Sequence, residues 1–535
     1  MAHRFRHSRL RLATWLTALG LIGCDGDLPE DAPDADADTA VAIAPSAQVA
    51  EPVPAPVAAR RPARVVEPAP PPPDPESEAR EAARAAQAEF DRTWPLSGVC
   101  YHHLAHVYAR PDRNSTIVGY MRRGAQFRAK ESLRGAGCAR GWSEVVGGGF
   151  VCRGEGYQLG ADVQTFEPSP VPPALDSALP YAYAHVGRSE APQYWRIPTP
   201  AEELSAATLM STLRAAREAV RATASGTTEE PDPGLEAPPQ FSERETSEQN
   251  QSSEEHPASP LPSFFRMRME SGFYVSVDRE ERDGTRRFFR TIRGGYVPAE
   301  AMTVATPPAM RGVVLGGAWR TPLGFVYRRG ATSLNRDPVS GALSPGSPLD
   351  YHAPLLLQDD VLDRRGNRHR ITRQGMVVRE NALRLVELIA RPRAIPQEDR
   401  WIHVDLSNQT LVAYEGDRAA FATLVSTGRE GFGTPVGTYR IQSKHVSTTM
   451  DDTDSANEAY SIEDVPWTMY FEGSFALHAA FWHDNFGRPR SHGCVNLAPA
   501  DARWLFQWST PTLPPGWHGV VSSQRRQGTW VHVTE

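Results

Sequence analysis

From residue 98 onward the chain is written in short apolar runs broken by turn formers, and this punctuation limits its fold more than any other feature. Ala105-His106-Val107-Tyr108 is followed by Arg110-Pro111-Asp112-Arg113-Asn114 and then by Ile117-Val118-Gly119-Tyr120. Gly141-Trp142-Ser143-Glu144-Val145-Val146 and Gly149-Phe150-Val151-Cys152 repeat the device. Runs this short, cut by Gly, Pro, Asn and Asp, suit strands of a few residues packed as small barrels. The 47 prolines and 42 glycines among 535 residues exceed the average share of about 12 %, so linker is expected beside globular structure. The expected class is therefore mainly β and multidomain. No apolar run reaches the 18 or so residues of a membrane-spanning helix, which excludes a polytopic membrane protein. A net charge of −7 with no basic stripe disfavours a nucleic-acid partner. Five cysteines are too few for a disulfide-built scaffold.

The N-terminus reads as an address. Arg4, Arg6, Arg9 and Arg11 precede an apolar stretch at residues 12–23, long enough for a signal-peptide core and too short to span. It ends in Leu21-Ile22-Gly23-Cys24, which resembles a bacterial lipobox. That resemblance implies that residues 1–24 are a lipoprotein signal peptide and that Cys24 is acylated. The body of the protein would then sit on the periplasmic face of the envelope, held to a membrane by its lipid. Residues 25–95 are a Pro/Ala-rich linker, unable to bury enough apolar surface to offset chain entropy. Within it, residues 76–92 carry strong helix formers and Glu/Arg pairs at helical spacing, which predicts a short helix.

Residues 96–165, on the runs quoted above, resemble a bacterial SH3-like domain, which implies binding to cell-wall peptides or to neighbouring domains. Cys138 and Cys152 would close a loop whose bridge contributes roughly 3 kcal/mol. Cys100 makes a third candidate, so three single pairings are open. Gly294-Gly295-Tyr296-Val297 echoes Gly148-Gly149-Phe150-Val151, and residues 178–305 are read as a second SH3-like module. It is interrupted by a helix that starts at Thr199-Pro200-Ala201-Glu202 and by an acidic insertion at 226–260. Residues 306–395 form a β-rich linker module whose function is not legible.

Residues 396–535 carry the chemistry. Trp401 to Leu406, Thr410 to Tyr414 and Phe421 to Val425 alternate around turns as a β-meander. A strand at residues 474–478 delivers His478 at its end, Ser491-His492-Gly493-Cys494-Val495-Asn496 follows a loop, and Pro499 opens a helix. A thiolate is the effective nucleophile, and an imidazole in reach takes its proton and returns it to a leaving amine. Gly493 removes bulk beside Cys494, and the N–H groups of both are candidates for an oxyanion pocket.

His478, Ser-His-Gly-Cys ending 16 residues later at Cys494, and the flanking Thr434-Pro435, Gly437, Tyr439 and Phe486-Gly487 resemble the YkuD-type L,D-transpeptidase catalytic domain over residues 400–533. The resemblance implies a β-sandwich-like fold with Cys494 as nucleophile and His478 as proton donor and acceptor. Ser491, His492 and Gly493 would shape the site. It further implies peptidoglycan stem peptides as substrates: Cys494 attacks the carbonyl of the third stem residue, D-Ala leaves, and an amine resolves the thioester. No metal and no cofactor is required. Trp467, Tyr470, Phe481, Trp482 and Asn496 are expected to line the donor groove, Asn496 standing where many relatives carry Arg. Water in place of the amine would give a carboxypeptidase, and a protein amine would give wall anchoring. Zinc held by His478, His483, His492 and Cys494, or an inert scaffold, are the rivals from other classes. The upstream modules are expected to take no part in bond making, so residues 396–535 are expected to act alone.

Overall fold

The punctuated runs become short strands throughout. A computed structural model describes residues 75–163, 169–187, 190–224, 261–364, 366–452 and 460–535. Cys24 with its lipobox, the proline run and the acidic insertion lie outside the described residues. So does the whole of the unit Met1–Pro73, whereas Asp74–Glu535 forms one compact unit. The expected short helix spans Pro75–Thr93.

Three β modules precede the C-terminal domain. In the first, strand Leu96–Cys100 lies between Gln126–Ala129 and Tyr157–Gly160, and Leu104–Tyr108 pairs with Ile117–Arg122. Of the three open cysteine pairings the structure holds Cys138–Cys152, and Cys100 is buried as a free thiol. In the second module, Ala182–Val186 pairs with Tyr274–Asp283 and with Met302–Val304. Ala191–Tyr194 pairs with Phe265–Met269 and with Tyr296–Pro298. The predicted helix, Pro200–Ala224, starts on a reciprocal cap. Glu202 accepts from the Thr199 N–H at 2.8 Å, and Thr199 Oγ1 accepts from the Glu202 N–H at 3.3 Å.

The third module repeats the second strand for strand, which the sequence reading did not anticipate. Leu323–Val326 pairs with Pro354–Arg364 and with Leu383–Val386, while Thr332–Arg336 pairs with Leu343–Pro348 and with Val377–Arg379. Each module closes on the same turn. Thr291 Oγ1 accepts from the Gly295 N–H and Thr372 Oγ1 from the Met376 N–H, both at 3.0 Å. Gly294 and Gly375 take φ +80° and +83°, a conformation that favours glycine. A single helical turn follows in each, Ala299–Ala301 and Glu380–Ala382. Residues 306–395 are therefore a module with its own core, centred on Val326, Leu357 and Val378, rather than a linker.

The C-terminal domain is the expected β-sandwich. One sheet runs Val313–Val314, Arg418–Leu424, Thr410–Glu415, Arg400–Asp405, Trp530–Thr534, Gly437–Arg440. The other pairs Ser443–Asp452 with Tyr460–Glu472, then Phe475–Ala479 and Val495–Leu497. Val404, Leu411, Met469, Phe471, Leu477 and Leu505 of helix Pro499–Trp508 fill the space between. Burying side chains of this size contributes roughly 1.5–3 kcal/mol each, against the entropy of ordering the chain.

The modules are fused to this sandwich. Trp517 and Val520 sit in the core of the first, beside Val107 and Met121. Tyr181 and Tyr183 of the second pack on Val465 and Phe481, and Tyr274 pairs in parallel with Ile462. Leu323, Phe325 and Val386 of the third share a core with Trp401, Tyr414 and Phe486. A buried polar knot ties three parts at one point: Asp464 accepts from Arg122 at 2.5 Å and from Ser276 at 2.6 Å, and its carbonyl accepts from Tyr183 at 2.6 Å. The expectation that residues 396–535 act alone runs against this packing, because cutting there would expose three apolar interfaces and strand Asp464.

Candidate active site

Parallel pairing brings the His478 and Cys494 side chains to one cavity. His478 is the last residue but one of strand Phe475–Ala479, Cys494 immediately precedes strand Val495–Leu497, and the register sets His478 opposite Asn496. Both line one cavity of 720 Å³. His478 Nδ1 lies 3.1 Å from the Ala479 carbonyl, so that nitrogen holds the proton and Nε2 is left as the acceptor. The imidazole stacks on Trp482 with ring centroids 5.8 Å apart. The Cys494 thiol donates to the Ser474 carbonyl at 3.7 Å. Burial pushes the thiol up to about 11 and the His478 imidazole down to about 4. At neutral pH the pair is thus neutral thiol and neutral imidazole.

The loop around Cys494 is held from within. Ser491 Oγ donates to the Cys494 carbonyl at 2.5 Å and accepts from the Gly493 N–H at 3.1 Å. Thr434 Oγ1 donates to the Gly493 carbonyl at 2.7 Å. Gly493 has φ +119°, and a Cβ there would lie 2.4 Å from the Phe475 ring, so only glycine fits. Because its N–H is committed to Ser491, Gly493 is not the free oxyanion donor expected from the sequence; the Cys494 N–H remains the candidate. His492 is exposed, stacked on Tyr460 at 5.4 Å and 3.0 Å from Arg429.

The expected groove residues divide. Tyr470, Trp482 and Asn496 line the cavity. Trp467 and Phe481 do not: Trp467 packs on Phe506 in the sandwich core and donates its indole N–H to the Ala178 carbonyl, and Phe481 stacks on Tyr183. Strand alternation explains Trp467, which shares a face with Met469 and Phe471, whereas Tyr470 faces the other way. His483 is structural. The Asn485 N–H donates to its Nδ1, leaving Nε2 to meet the Asn496 carboxamide at 3.0 Å. Burial and the nearby Arg490 push this imidazole down to about 3.

Several cavity residues were not found from the sequence. Gly272 and Tyr274 come from the second module, more than 200 positions before Cys494, and nothing near them in the sequence signals the site. Arg429 and Arg490 also line it, Arg490 being the residue just before Ser491. Among the described residues, no group of three or more His, Cys, Asp or Glu is placed to hold a metal ion.

Residues 399–533 match the family model described as YkuD, the L,D-transpeptidase catalytic domain. This part of the chain is a YkuD L,D-transpeptidase domain. The domain also overlaps solved structures. One is a mutant of the Enterococcus faecium L,D-transpeptidase, 24% identical, covering 26% of this chain and 50% of that one, TM-score 0.21. A second is the L,D-transpeptidase (Yku) from Stackebrandtia nassauensis, 24% identical, covering 26% and 57%, TM-score 0.20. A third is Mycobacterium tuberculosis L,D-transpeptidase 1, 20% identical, covering 25% and 61%, TM-score 0.19. The chain thus spans between half and two thirds of these solved chains. No curated protein matches it. The YkuD domain supplies the sandwich, His478 and Cys494, while Tyr274 and Gly272 lie outside the matched residues.

Proposed function

We propose that the protein is a peptidoglycan L,D-transpeptidase acting through a Cys494 thioester. The observation that carries this reading is the shared cavity, into which Cys494 and a His478 with Nε2 available both open. As the Cys494 sulfur bonds to the carbonyl carbon of the third stem residue, its proton passes to His478 Nε2. The carbon–nitrogen bond to D-Ala then breaks, and the same proton goes to the departing amine, leaving a thioester. In the second half an amine attacks the thioester carbonyl and gives its proton to His478. The carbon–sulfur bond breaks, and the proton returns to Cys494. Tyr470 and Trp482 offer flat apolar walls for the donor stem. Water attacking in place of the amine would give the carboxypeptidase outcome, and a protein amine would give anchoring.

Intact-mass spectrometry of the whole soluble chain with a carbapenem tests the nucleophile. A covalent addition is expected, absent in Cys494→Ala and slowed roughly 10²- to 10⁴-fold in His478→Ala. An unaltered mass in folded, reduced protein would overturn the mechanism. Incubation with a tetrapeptide-stem muropeptide should release D-Ala and yield a cross-linked dimer; tripeptide alone means hydrolysis.

The lipobox supports placing the protein on the periplasmic face with Cys24 acylated, several acyl chains holding it stably. Membrane fractionation of Cys24→Ala should show release into the soluble fraction. Unchanged membrane association would refute that placement. The short paired strands and tight turns of the upstream modules agree with an SH3-like reading.

A further inference from the structure

The cavity wall carries two arginines in different situations. Arg429 is engaged, 3.0 Å from His492 and lying over the Phe432 ring. Arg490 is exposed, with its backbone N–H anchored on the Thr427 carbonyl at 2.8 Å. Its guanidinium makes no ion pair among the described residues. Asp451 also lines the cavity, so its described wall carries two arginines against one carboxylate. Arg490 also has a specific neighbourhood. Its charge helps lower His483 and opposes the rise that burial imposes on the Tyr274 phenol, so both groups lie within its field. Tyr274 in turn packs on Trp482 at 6.3 Å, and Trp482 stacks on His478. Arg490, Tyr274, Trp482 and His478 thus line one and the same cavity, with Tyr274 reaching His478 through Trp482.

The chemistry of that side is set by the reaction proposed above, on which this inference rests. His478 must protonate the departing amine in the first half and deprotonate the incoming one in the second, so both amines occupy the same place beside Nε2. The departing group is an α-amino acid, whose carboxylate sits one carbon from the amine. The distal centre of a diamino acid, the natural cross-linking amine, presents the same fragment. A carboxylate one carbon away from an amine calls for a cation a few ångströms beyond the imidazole, and a guanidinium can hold it with two parallel hydrogen bonds.

We propose that Arg490, with the Tyr274 hydroxyl lining the same cavity, is the site for the α-carboxylate of the amine component, used by the departing D-Ala and by the incoming amine alike. Because Tyr274 belongs to the second β module, that module takes part in selecting the amine. Arg490, without an ion pair among the described residues, is then available to a ligand.

The test uses the full soluble chain and needs no turnover. Alkylation of Cys494 by iodoacetamide is followed by mass, with D-alanine or D-alaninamide as protecting ligand, each variant being referred to its own unprotected rate. D-alanine should slow alkylation of the unsubstituted protein, and D-alaninamide, which lacks the carboxylate, should not. Arg490→Ala should raise the D-alanine concentration for half protection roughly tenfold to a hundredfold, Arg490→Lys less, and Tyr274→Phe by a few-fold. Protection by the amide as strong as by the acid, or an Arg490→Ala curve that overlays the unsubstituted one, would overturn the proposal. Carboxylate-dependent protection in a protein that never releases D-Ala from a tetrapeptide stem would leave this site standing and sink the transpeptidase reading instead.

Discussion

With the Cys494 thiol pushed up to about 11 and His478 down to about 4, the proposed mechanism has the proton leave sulfur only as the new bond forms. Acylation by a carbapenem is therefore expected to hold its rate down to about pH 4 and to fall below it, where Nε2 is protonated and cannot accept. Rates measured across pH 3–9 check this, and an acid limb near 6.5, the signature of an imidazole titrating at its ordinary value, would exclude it. The same burial has a sign for stability. His478, His483 and His403 are buried and held at about 4, 3 and 4, below their unfolded value. Their folded forms bind fewer protons, so the stability they confer is present above about pH 6.5 and is lost as the pH falls through 4. For His478 the full span is worth about 3 kcal/mol. Urea midpoints should drop between pH 6.5 and 4, and His403→Gln should flatten that slope. At Gly493 the constraint is steric: Gly493→Ala sets a methyl against the Phe475 ring and should abolish acylation. An Ala variant with undiminished acylation would show that the loop yields.

Among the elements, the loop at residues 480–490 joins the His478 strand to the Cys494 strand and is gripped from the third module. Asp484 pairs with Arg329 at 2.8 Å and with His352 at 3.3 Å, and its carbonyl accepts from Tyr351 at 3.1 Å. Arg384 donates to the Gly487 carbonyl at 2.8 Å. These are positioning residues: Arg384→Ala should lower the acylation rate roughly tenfold to a hundredfold while leaving the pH limb of His478 in place. A shifted limb would mean that Arg384 acts on the imidazole instead. This loop marks the border of what the sequence made legible. The capped helix at Thr199 and the meander from Trp401 were announced by local chemistry, and the His478/Cys494 pair was singled out by its resemblance to the YkuD motif. The likeness of the second and third modules was not, because it rests on a few matched positions, Thr291/Thr372, Gly294/Gly375, Val297/Val378 and Ala301/Ala382, scattered among differing side chains. Trp467 was misplaced by proximity to the motif, although counting alternate residues back from Tyr470 sends it to the opposite face. Tyr274 had no local signal, since only the parallel pairing with Ile462 carries it to the site.

At the scale of the molecule, Asp464 is the point where three parts of the chain meet, buried with Arg122 in a pair that solvent does not screen. Breaking a buried pair from one side typically costs about 3–5 kcal/mol, because the remaining charge keeps its desolvation cost. Asp464→Ala should lower the urea midpoint accordingly, whereas a joint Arg122→Met, Asp464→Leu exchange should recover much of the loss. A fragment of residues 396–535 should aggregate or expose dye-binding apolar surface, since it loses the partners of Phe481, Trp517 and Trp401; a soluble, cooperative fragment would contradict the shared cores. One joint in this assembly has a different meaning. Tyr194 and Phe265 face each other on neighbouring strands, and the chain between them leaves through helix Pro200–Ala224, docked by Ala206 and Met210, before it returns. For a loop whose two ends are already side by side, added length costs only a logarithm. The hairpin is thus a clasp: with Tyr194 and Phe265 paired across it, the frame of the second module is closed by its own strands, and the length of chain that separates them in sequence adds little to the cost of closing it.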